Sequence, residues 1–377
     1  MMIACVGGGT GGHVFPGIAV IGELKKRRTD LEIVWIGSGK QIERDITSRF
    51  DIPYYAVPSG KLRRYFSLRN FIDLFKFAAG FFASLLLLKR LKADILFSKG
   101  GYVAVAPVIA AAVLGIPVVT HESDRDPGLA TRIISRFADT VLLPYEQTRA
   151  DYFEGSPKEV VVTGNPVRSE VLQGDADRGR EMLGIEPDRP MVLVLGGSQG
   201  ARQINDLIRQ TRDGLLDHAA VVHQMGRLDY EPSSIPNYIT APIFNEEFPD
   251  ILAAADLVIS RAGAGTVWEN GAMGKAAVLI PLGSGSSRGD QMRNADLFVR
   301  EGAAFSLQGE EAESARLLEL SLRLLKDPQL RRNMGDSALR LCDTRAADRI
   351  AEILLSRAAD RRVNRGKQRR NLWQCLM

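Results

Sequence analysis

The stretch Gly7-Gly8-Gly9-Thr10-Gly11-Gly12-His13 directly follows the apolar run Met2 to Val6 and precedes the helix-compatible residues Ile18 to Lys26. This order predicts a strand, a tight loop and a helix. Glycine has no Cβ, so the loop backbone can adopt positive φ and approach a ligand closely. The loop amides and the positive end of the helix would then suit a diphosphate or another anion.

The loop satisfies the pattern G-x-G-x-x-G, which on its own most often indicates a dinucleotide site. Dehydrogenases of that type usually carry an Asp or Glu at the end of the second strand, where it binds the ribose. Here the second apolar run, Leu31 to Ile36, ends in Gly37-Ser38. A nicotinamide dehydrogenase is therefore a poor candidate. His13 adds a group that exchanges a proton near neutral pH.

Short β-like runs alternate with helical segments along the whole chain, which predicts an α/β fold with doubly wound parallel sheets. A second apolar strand enters a glycine loop at Gly196 to Gly200, so the plan occurs twice, with the join between Gly164 and Pro190. We expect a ligand-binding cleft between the carboxyl ends of the two sheets. The predicted strands are Ile3–Val6, Leu31–Ile36, Tyr54–Val57, Asp94–Phe97, Val118–Thr120, Thr140–Leu143, Val160–Thr163, Met191–Leu195, Val221–His223, Ile239–Ala241, Leu257–Ser260, Ala277–Pro281 and Ala304–Leu307.

The composition is that of an ordinary globular protein, with 377 residues, 45% hydrophobic residues and a net charge of +4. The length allows two domains. Cys5, Cys342 and Cys375 show neither disulfide nor zinc spacing, which fits a reducing compartment. The N-terminus runs straight into a strand, so we expect no signal peptide.

The most apolar segment, Phe71 to Leu88, is too short and too interrupted by charge to span a bilayer. Two interpretations stay open: a helix packed on the sheet, or a helix whose outer side enters a membrane surface. Basic residues on both sides favour attraction to anionic lipid. They are Lys61, Arg63, Arg64 and Arg69 before the segment, and Lys89, Arg90 and Lys92 after it.

The C-terminal segment, Ala346 to Met377, starts as a helix and becomes strongly basic from Arg357 onward. A solvated tail and a membrane-attracted tail are both compatible with this charge. No module or aromatic interleaving supports nucleic-acid binding, so we expect no nucleic-acid partner.

Three further polar clusters follow predicted strands. The first, His121 to Gly128, contains Asp124-x-Asp126, but this spacing is common by chance, and we expect no metal cofactor. In the second, Ser260 to Glu269, small residues open a helix and Glu269 could accept hydrogen bonds from a ribose diol. In the third, Ser284 to Asn294, Gln291 and Asn294 suit hydroxyl or acetamido recognition.

Six motifs occur together in one order and span roughly residues 3–349, and this set resembles the MurG family of peptidoglycan GlcNAc transferases, within glycosyltransferase family 28. The motifs are Gly8-Gly9-Thr10-Gly11-Gly12-His13-Val14-Phe15-Pro16-Gly17, Lys99-Gly100-Gly101-Tyr102, His121-Glu122, Gly164-Asn165-Pro166-Val167-Arg168, Gly196-Gly197-Ser198-Gln199-Gly200-Ala201 and Arg261 to Glu269.

The resemblance implies the GT-B fold, with an acceptor and membrane-facing domain at 1–164, joined by a C-terminal helix at about 343–360. A UDP-GlcNAc-binding domain would occupy 165–342, and 361–377 would be a basic tail. It also implies a peripheral protein on the cytoplasmic face of the membrane. The implied activity is that of a hexosyltransferase, which moves GlcNAc with inversion from UDP-GlcNAc to the C4 hydroxyl of undecaprenyl-diphospho-MurNAc-pentapeptide (lipid I). Protein partners in wall synthesis stay open.

The site residues implied by the resemblance fall into three groups. His13 is the first candidate for the general base and Glu122 the second, unless Glu122 orients another group. Asp124 stands where the family often has Asn. Implied contacts to UDP-GlcNAc are Thr10, Gly11, Gly12, Asp124, Arg168, Ser198, Phe244, Ala264, Gly265, Thr266, Val267, Glu269 and Gln291, and those to the acceptor diphosphate are Gly9, Thr10, Gly100, Gly101 and Tyr102.

Two other functions remain candidates at this stage. One is a different inverting GT-B transferase with a lipid or natural-product acceptor. The other is a membrane-associated protein that binds a sugar nucleotide without catalysis. Turnover with a lipid I analogue distinguishes all three.

Overall fold

The structure is a computed structural model of the chain, and it describes residues 1–9, 11–60, 69–196, 200–283 and 289–376. The side chains at 69–72 and 364–376 are left out of the description. The chain divides into two compact units, Met1–Arg168 with Arg345–Met377, and Ser169–Thr344.

The first unit is built on a parallel sheet of seven described strands, in the order β3-β2-β1-β4-β5-β6-β7. Both its faces are covered by helices, as a largely buried parallel sheet requires. The strands are β1 (Met2–Val6), β2 (Glu32–Gly37), β3 (Tyr54–Ala56), β4 (Ile95–Ser98), β5 (Val118–His121), β6 (Thr140–Leu143) and β7 (Glu159–Val162).

Most helices of the first unit connect successive strands of its sheet. The last one lies at the C-terminal end of the chain and packs against the same unit. A short 3-10 turn, Tyr102–Ala104, precedes α4. The helices are α1 (Gly11–Arg27), α2 (Gln41–Arg49), α3 (Arg69–Leu91), α4 (Val105–Val113), α5 (Leu129–Ile134), α6 (Glu146–Phe153) and α15 (Ala346–Leu376).

The second unit repeats the plan with six described strands, all paired in parallel, in the order β10-β9-β8-β11-β12-β13. The strands are β8 (Met191–Leu195), β9 (Ala220–Gln224), β10 (Tyr238–Ala241), β11 (Leu257–Ser260), β12 (Ala276–Leu279) and β13 (Phe305–Ser306). The helices are α7 (Ser169–Leu172), α8 (Ala176–Leu183), α9 (Arg202–Leu216), α10 (Phe248–Ala254), α11 (Ala264–Ala272), α12 (Asp290–Arg300), α13 (Ser314–Lys326) and α14 (Pro328–Leu341), with a 3-10 turn at Gly309–Glu311.

The predicted strands are all present, and their bounds differ from the prediction by at most two residues. The apolar run after Phe71 is a helix, as predicted. The C-terminal helix is longer than expected, because it continues past 360 to Leu376. The basic segment contains Arg, Lys, Gln and Leu and lacks Pro, so its intrinsic helix propensity is high.

Helix α15 belongs to the core of the first unit although it lies at the end of the chain. Its residues Ile350, Ala351 and Leu354 pack in one buried cluster with Val14 and Leu24 of α1. Burial of this apolar face, rather than propensity, holds the first turns of α15 in place.

None of the helices in the described part of the chain combines the length and the apolarity that crossing a bilayer requires.

Helix α1 offers a matched pair of glycines for testing how tightly it packs. A Cβ on Gly17 would lie 2.4 Å from Cη2 of the buried Trp35, whereas a Cβ on Gly22 would meet no atom within 4 Å. We expect Gly17→Ala to lower the free energy of unfolding by about 1–3 kcal/mol through overpacking. Gly22→Ala should raise it by about 0.5–1 kcal/mol, because alanine favours helix.

Urea denaturation of the two variants and the parent measures these changes. A Gly17→Ala variant as stable as the parent would show that helix α1 packs less closely on Trp35 than the structure indicates.

Candidate active site

The predicted functional residues of the first unit follow three neighbouring strands. The strand order reverses at the β1–β4 pair, since β1 has β2 on one side and β4 on the other. His13 follows β1, Lys99 follows β4 and Glu122 follows β5. In parallel sheets this edge, at such a reversal, is where ligands bind. The fold thus brings the predicted His13 and Glu122 to one edge, together with Lys99 and the predicted Gly100 and Gly101 that follow it.

His13 lies in the first turn of α1 with its ring half-buried. Its Nδ1 lies 3.2 Å from the carbonyl oxygen of Lys99. A carbonyl oxygen only accepts, so Nδ1 carries the hydrogen, and Nε2 of the neutral ring keeps its lone pair. Nε2 lies 3.3 Å from the point where a Cβ on Gly101 would be. The glycine therefore leaves space beside the nitrogen that can take up a proton.

Lys99 is completely enclosed, since only 2% of its surface is exposed. Its Nζ contacts Nδ1 of His121 and lies 3.0 Å from Oγ of Ser123. Nε2 of His121 lies 2.9 Å from the carbonyl oxygen of Gly164. The lysine must donate, so His121 accepts at Nδ1 and donates from Nε2 to that carbonyl. This chain of bonds links the ends of β4, β5 and β7.

Burial is the main cause of the shifted pKa values of Lys99 and His121. Desolvation lowers the pKa of Lys99 to about 7, against a smaller opposing effect of the carboxylates of Glu122 and Asp124. Desolvation, followed by the charge of Lys99, lowers the pKa of His121 well below its usual value. His121 is therefore neutral at pH 7, and Lys99 changes its charge near that pH.

Glu122 is occupied by the backbone of its own loop. Oε1 accepts hydrogen bonds from the amides of Ser123 and Asp124, at 2.7 and 3.1 Å, and Oε2 accepts one from Gly128 at 3.2 Å. Backbone amides thus engage both carboxylate oxygens of Glu122, which places this side chain to shape the loop that carries Asp124.

The predicted acceptor residues of the glycine loops differ in what they offer. The amide of Gly9 already donates to Oε1 of Glu43, at 2.6 Å, so in this conformation it is engaged by a carboxylate of the protein rather than available to an acceptor diphosphate. Gly100 and Gly101 adopt φ of 75° and 77°, a region that favours glycine. They lead into the 3-10 turn at Tyr102, whose ring lies 3.2 Å from a Cβ placed on Gly9.

Arg168 ends the first unit and lies close to the His13 helix. Its guanidinium carbon is 4.7 Å from the ring centroid of Phe15, a cation–π geometry. The preceding Asn165 is buried and donates from Nδ2 to the carbonyl of Ser123, at 2.8 Å. Arg168 is thus held beside the helix that begins with Gly11 and Gly12.

In the second unit, the helix start predicted for a diphosphate is formed as expected from the sequence. Helix α11 begins at Ala264, directly after β11, and Gly263 at its N-cap has no side chain to cap it. The amide of Val267 bonds to Gly263, so those of Ala264, Gly265 and Thr266 lie ahead of the intrahelical pattern. A Cβ on Gly265 would meet no atom within 4 Å.

The other predicted donor residues of the second unit that the structure describes lie in α11, in α12 and in the loop after β10. Gln291 opens α12, and its Oε1 accepts from the amide of Leu282 at 3.1 Å. Glu269 is half-buried one turn into α11. The amide of Phe244 donates to Oε1 of Gln224, at 2.9 Å, which fixes the loop after β10. Thr10, Ser198 and the first residues of the 284–294 loop lie outside the described residues.

Three side chains with roles at these edges escaped the sequence argument: Glu43, Lys99 and Gln224. Each had a signal. Glu43 occupies the same helix face as the apolar Ile46, and Lys99 and Gln224 stand at or directly after the end of a fully buried strand. A charged or amide group in such a position must have internal partners.

Among the described residues, no three or more His, Cys, Asp or Glu side chains are arranged to hold a metal ion.

Comparisons with known proteins decide the family. Residues 3–143 match the glycosyltransferase family 28 N-terminal domain, and residues 191–351 match its C-terminal domain. The chain belongs to glycosyltransferase family 28. A Treponema denticola relative within this family is 41% identical over 94% of this chain and 97% of its own length. A Clostridium perfringens relative is 41% identical over 86% of this chain and 89% of its own length.

Both relatives are named UDP-N-acetylglucosamine--N-acetylmuramyl-(pentapeptide) pyrophosphoryl-undecaprenol N-acetylglucosamine transferase. The crystal structure of Acinetobacter baumannii MurG matches with a TM-score of 0.72 at 27% identity, over 94% of this chain and 99% of that one. A UDP-GlcNAc 2-epimerase from Neisseria meningitidis matches with a TM-score of 0.69 at 18% identity, over 94% of this chain and 100% of that one, which shows a shared fold alone. The family 28 assignment thus agrees with the expected GT-B fold.

The pH dependence of stability tests the burial of Lys99. The pKa of Lys99 is about 7 in the folded protein, compared with 10.5 for a lysine in an unfolded chain. Between these values the unfolded chain binds a proton that the folded protein lacks, so Lys99 makes the free energy of unfolding rise with pH. The stabilisation is complete above about pH 10.5, decreases as the pH falls, and is lost once the pH has fallen through the folded-state pKa of about 7. We expect Lys99→Met to flatten the rise between about pH 7 and pH 10.5.

Urea denaturation at several pH values measures the slope, with exposed Lys326→Met as the control. Equal slopes for the parent and Lys99→Met would contradict the buried, perturbed state of this lysine.

Proposed function

We propose that the chain transfers GlcNAc from UDP-GlcNAc to the C4 hydroxyl of the muramoyl sugar of lipid I, which yields lipid II for peptidoglycan synthesis. The observation that carries this proposal is the 41% identity to a transferase with this named activity, over nearly the full length of both chains. The geometry around His13 supports it, since it provides a proton acceptor at the sheet edge where a substrate would bind.

The reaction is a single displacement. The acceptor oxygen forms a bond to the anomeric carbon while the bond from that carbon to the UDP oxygen breaks, which inverts the configuration. Nε2 of His13 takes the hydroxyl proton, because Nδ1 is committed to the carbonyl of Lys99. UDP leaves with both electrons of the broken bond.

The second unit holds the donor in this proposal. The amides at the start of α11 and the positive end of its dipole bind the diphosphate and stabilise its charge as UDP leaves. Glu269 accepts from the ribose hydroxyls, and the loop at Phe244 holds the uracil. We expect no divalent cation to be required.

Release of UDP from UDP-GlcNAc with a lipid I analogue, in the presence of EDTA, tests this function. We expect His13→Ala to lower kcat about 10²–10⁴-fold, the usual contribution of a general base. The donor KM should change little, because His13 takes part in proton transfer rather than in donor binding. His218→Ala, an exposed histidine of the second unit, is the control.

Two outcomes would contradict the proposal. UDP binding without turnover of the wild-type protein would favour a sugar-nucleotide sensor. Full activity of His13→Ala would remove this residue from the chemistry.

Helix α3 provides a surface for the lipid-linked acceptor. Phe75, Phe82 and Leu86 are 75%, 62% and 67% exposed. Their spacings of seven and four put them on one side of the helix. Lys89 and Arg90 extend this side and are exposed, and the opposite side, with Leu88 and Ser84, is buried. We propose that this apolar side enters the cytoplasmic face of an anionic membrane, as a peripheral contact. The basic residues at 61–64 lie outside the described residues, and the side chain of Arg69 is left out of the description.

The membrane contact can be tested by cosedimentation with vesicles that contain anionic lipid. We expect Phe75→Ser with Phe82→Ser to weaken binding at least about tenfold, since each buried Phe contributes about 1.5–3 kcal/mol. Leu339→Ser, at an exposed leucine of the second unit, is the control. Unchanged binding of the double variant would exclude this side of α3 as the contact.

A further inference from the structure

Glu43 lies beneath the first glycine loop as a completely buried carboxylate, with 0% of its surface exposed. It belongs to the first turn of α2, and its side chain points to the end of β1 rather than to solvent. A buried carboxylate is costly unless several donors satisfy it. Its partners therefore show what the site is built to do.

Four hydrogen bonds satisfy this carboxylate. Oε1 accepts from the amide of Gly9, at 2.6 Å, and from Oγ of Ser38, at 2.7 Å. Oε2 accepts from the amide of Ser38 and from the hydroxyl of Tyr54, both at 2.7 Å. The Tyr54 oxygen in turn accepts from the amide of Gly39, at 2.6 Å. The glycine loop is thereby tied to the segment that follows β2 and to the first residue of β3.

The protonation state agrees with this geometry. Burial on its own would raise the pKa of Glu43, but the bonds from Gly9, Ser38 and Tyr54 outweigh it and lower the pKa. Burial and the bond to Glu43 raise the pKa of Tyr54, so the hydroxyl keeps its hydrogen. The carboxylate is ionised at neutral pH, and all its bonds are charge-assisted.

The glycines around Glu43 leave room for its carboxylate. A Cβ on Gly8 would lie 2.5 Å from Oε1, and a Cβ on Gly37 would lie 2.5 Å from Oε2. In nucleotide-binding loops of this pattern, glycines allow the backbone to approach a phosphate. Here Gly8 of the loop and Gly37 at the end of β2 allow the backbone to approach an internal anion.

The same segment also holds the other side of the loop. Nζ of Lys40 donates to the carbonyl of Gly9, at 2.8 Å. Both backbone polar groups of Gly9 are thus bound by the start of α2, through its N-cap Lys40 and through Glu43 of its first turn. Gly9 adopts φ of 96°, so its position is fixed by these bonds in a conformation that only glycine adopts readily. Four residues later the chain reaches His13.

We infer that Glu43 is a positioning residue, which acts as a built-in anion and holds the glycine loop so that His13 is aligned for proton transfer. This inference rests on the proposed function, because it assigns Glu43 a role at the same site. It also explains why the loop carries a phosphate-binding pattern although one of its amides is taken: the charge that the loop accommodates belongs to the protein.

Two variants of Glu43 test the length and the charge of its side chain separately. Glu43→Gln keeps the reach but replaces one acceptor oxygen with a donor, which faces either the Ser38 amide or the Gly9 amide. Glu43→Asp keeps the charge but is one methylene too short to reach all its partners. We expect each to lower kcat about 10- to 100-fold, because small displacements of a catalytic group have effects of this size. Asp45→Asn, on the exposed side of α2, is the matched control and should retain the parental kcat.

Two further readouts distinguish positioning from a loss of fold. The Kd for UDP should stay within about twofold of the parental value, since the residues proposed to hold the uracil, ribose and diphosphate at Phe244, Glu269 and the start of α11 lie in the second unit. The amide of Gly9, followed by NMR hydrogen exchange, should exchange at least about tenfold faster in both variants, because its acceptor is altered or withdrawn. Amides of β8 should keep their parental rates.

The inference is overturned if both variants keep the parental kcat, or if kcat falls only in proportion to the unfolded fraction. It is also overturned if the Gly9 amide exchanges at the parental rate. The exchange measurement does not depend on turnover, so an inactive wild-type protein would refute the proposed function and leave the role of Glu43 in the loop to be decided by exchange.

Discussion

Parallel strand pairing is the constraint on which the rest of this structure depends. When all strands of a sheet run the same way, the segments after them collect at one edge, and a reversal of strand order opens space there. In the first unit the reversal lies between β1 and β4, whose following segments carry His13 and Lys99. In the second it lies between β8 and β11, and α11 starts beyond the end of β11 at the corresponding edge.

That edge is also where the protein must satisfy buried polar groups. Lys99 and Glu43 are ionisable residues in an interior that would otherwise be apolar, and the side chain of each is satisfied by a hydrogen-bond network that includes backbone atoms. The carbonyl of Lys99 sets the tautomer of His13, while Glu43 fixes Gly9. In the proposed reaction the base, His13, is thus oriented from two sides by groups that have fixed partners of their own, which reduces the reorganisation needed in the transition state.

The fold could be read from the sequence because it depends on patterns that repeat. Buried parallel strands are short apolar runs, and runs such as Met191 to Leu195 end in glycine, so position and type were both visible. The length of α15 could not be read from the sequence, since its basic final turns have no apolar periodicity. The positions of candidate site residues in the fold were predictable where a residue follows a strand, as with His13 and Glu269, while their roles stay predictions.

The roles of Glu43 and Lys99 were not predictable in the same way. Glu43 meets Gly9 across 34 positions in the chain, and Lys99 meets His121 across 22. Such pairs depend on strand order, and the sequence does not state which strands become neighbours. Glu122 is a different case, because the sequence analysis named it as the second candidate base. The amides that donate to its carboxylate could not be predicted, since they depend on how the loop folds.

The central claim is a single displacement in which one base, His13, removes the acceptor proton. The most direct measurement is the anomeric configuration of the transferred sugar, from the proton coupling between H1 and H2 in the product NMR spectrum. UDP-GlcNAc carries the α configuration, so the account predicts a β-linked product. An α-linked product would require a second displacement or a front-side reaction and would contradict it.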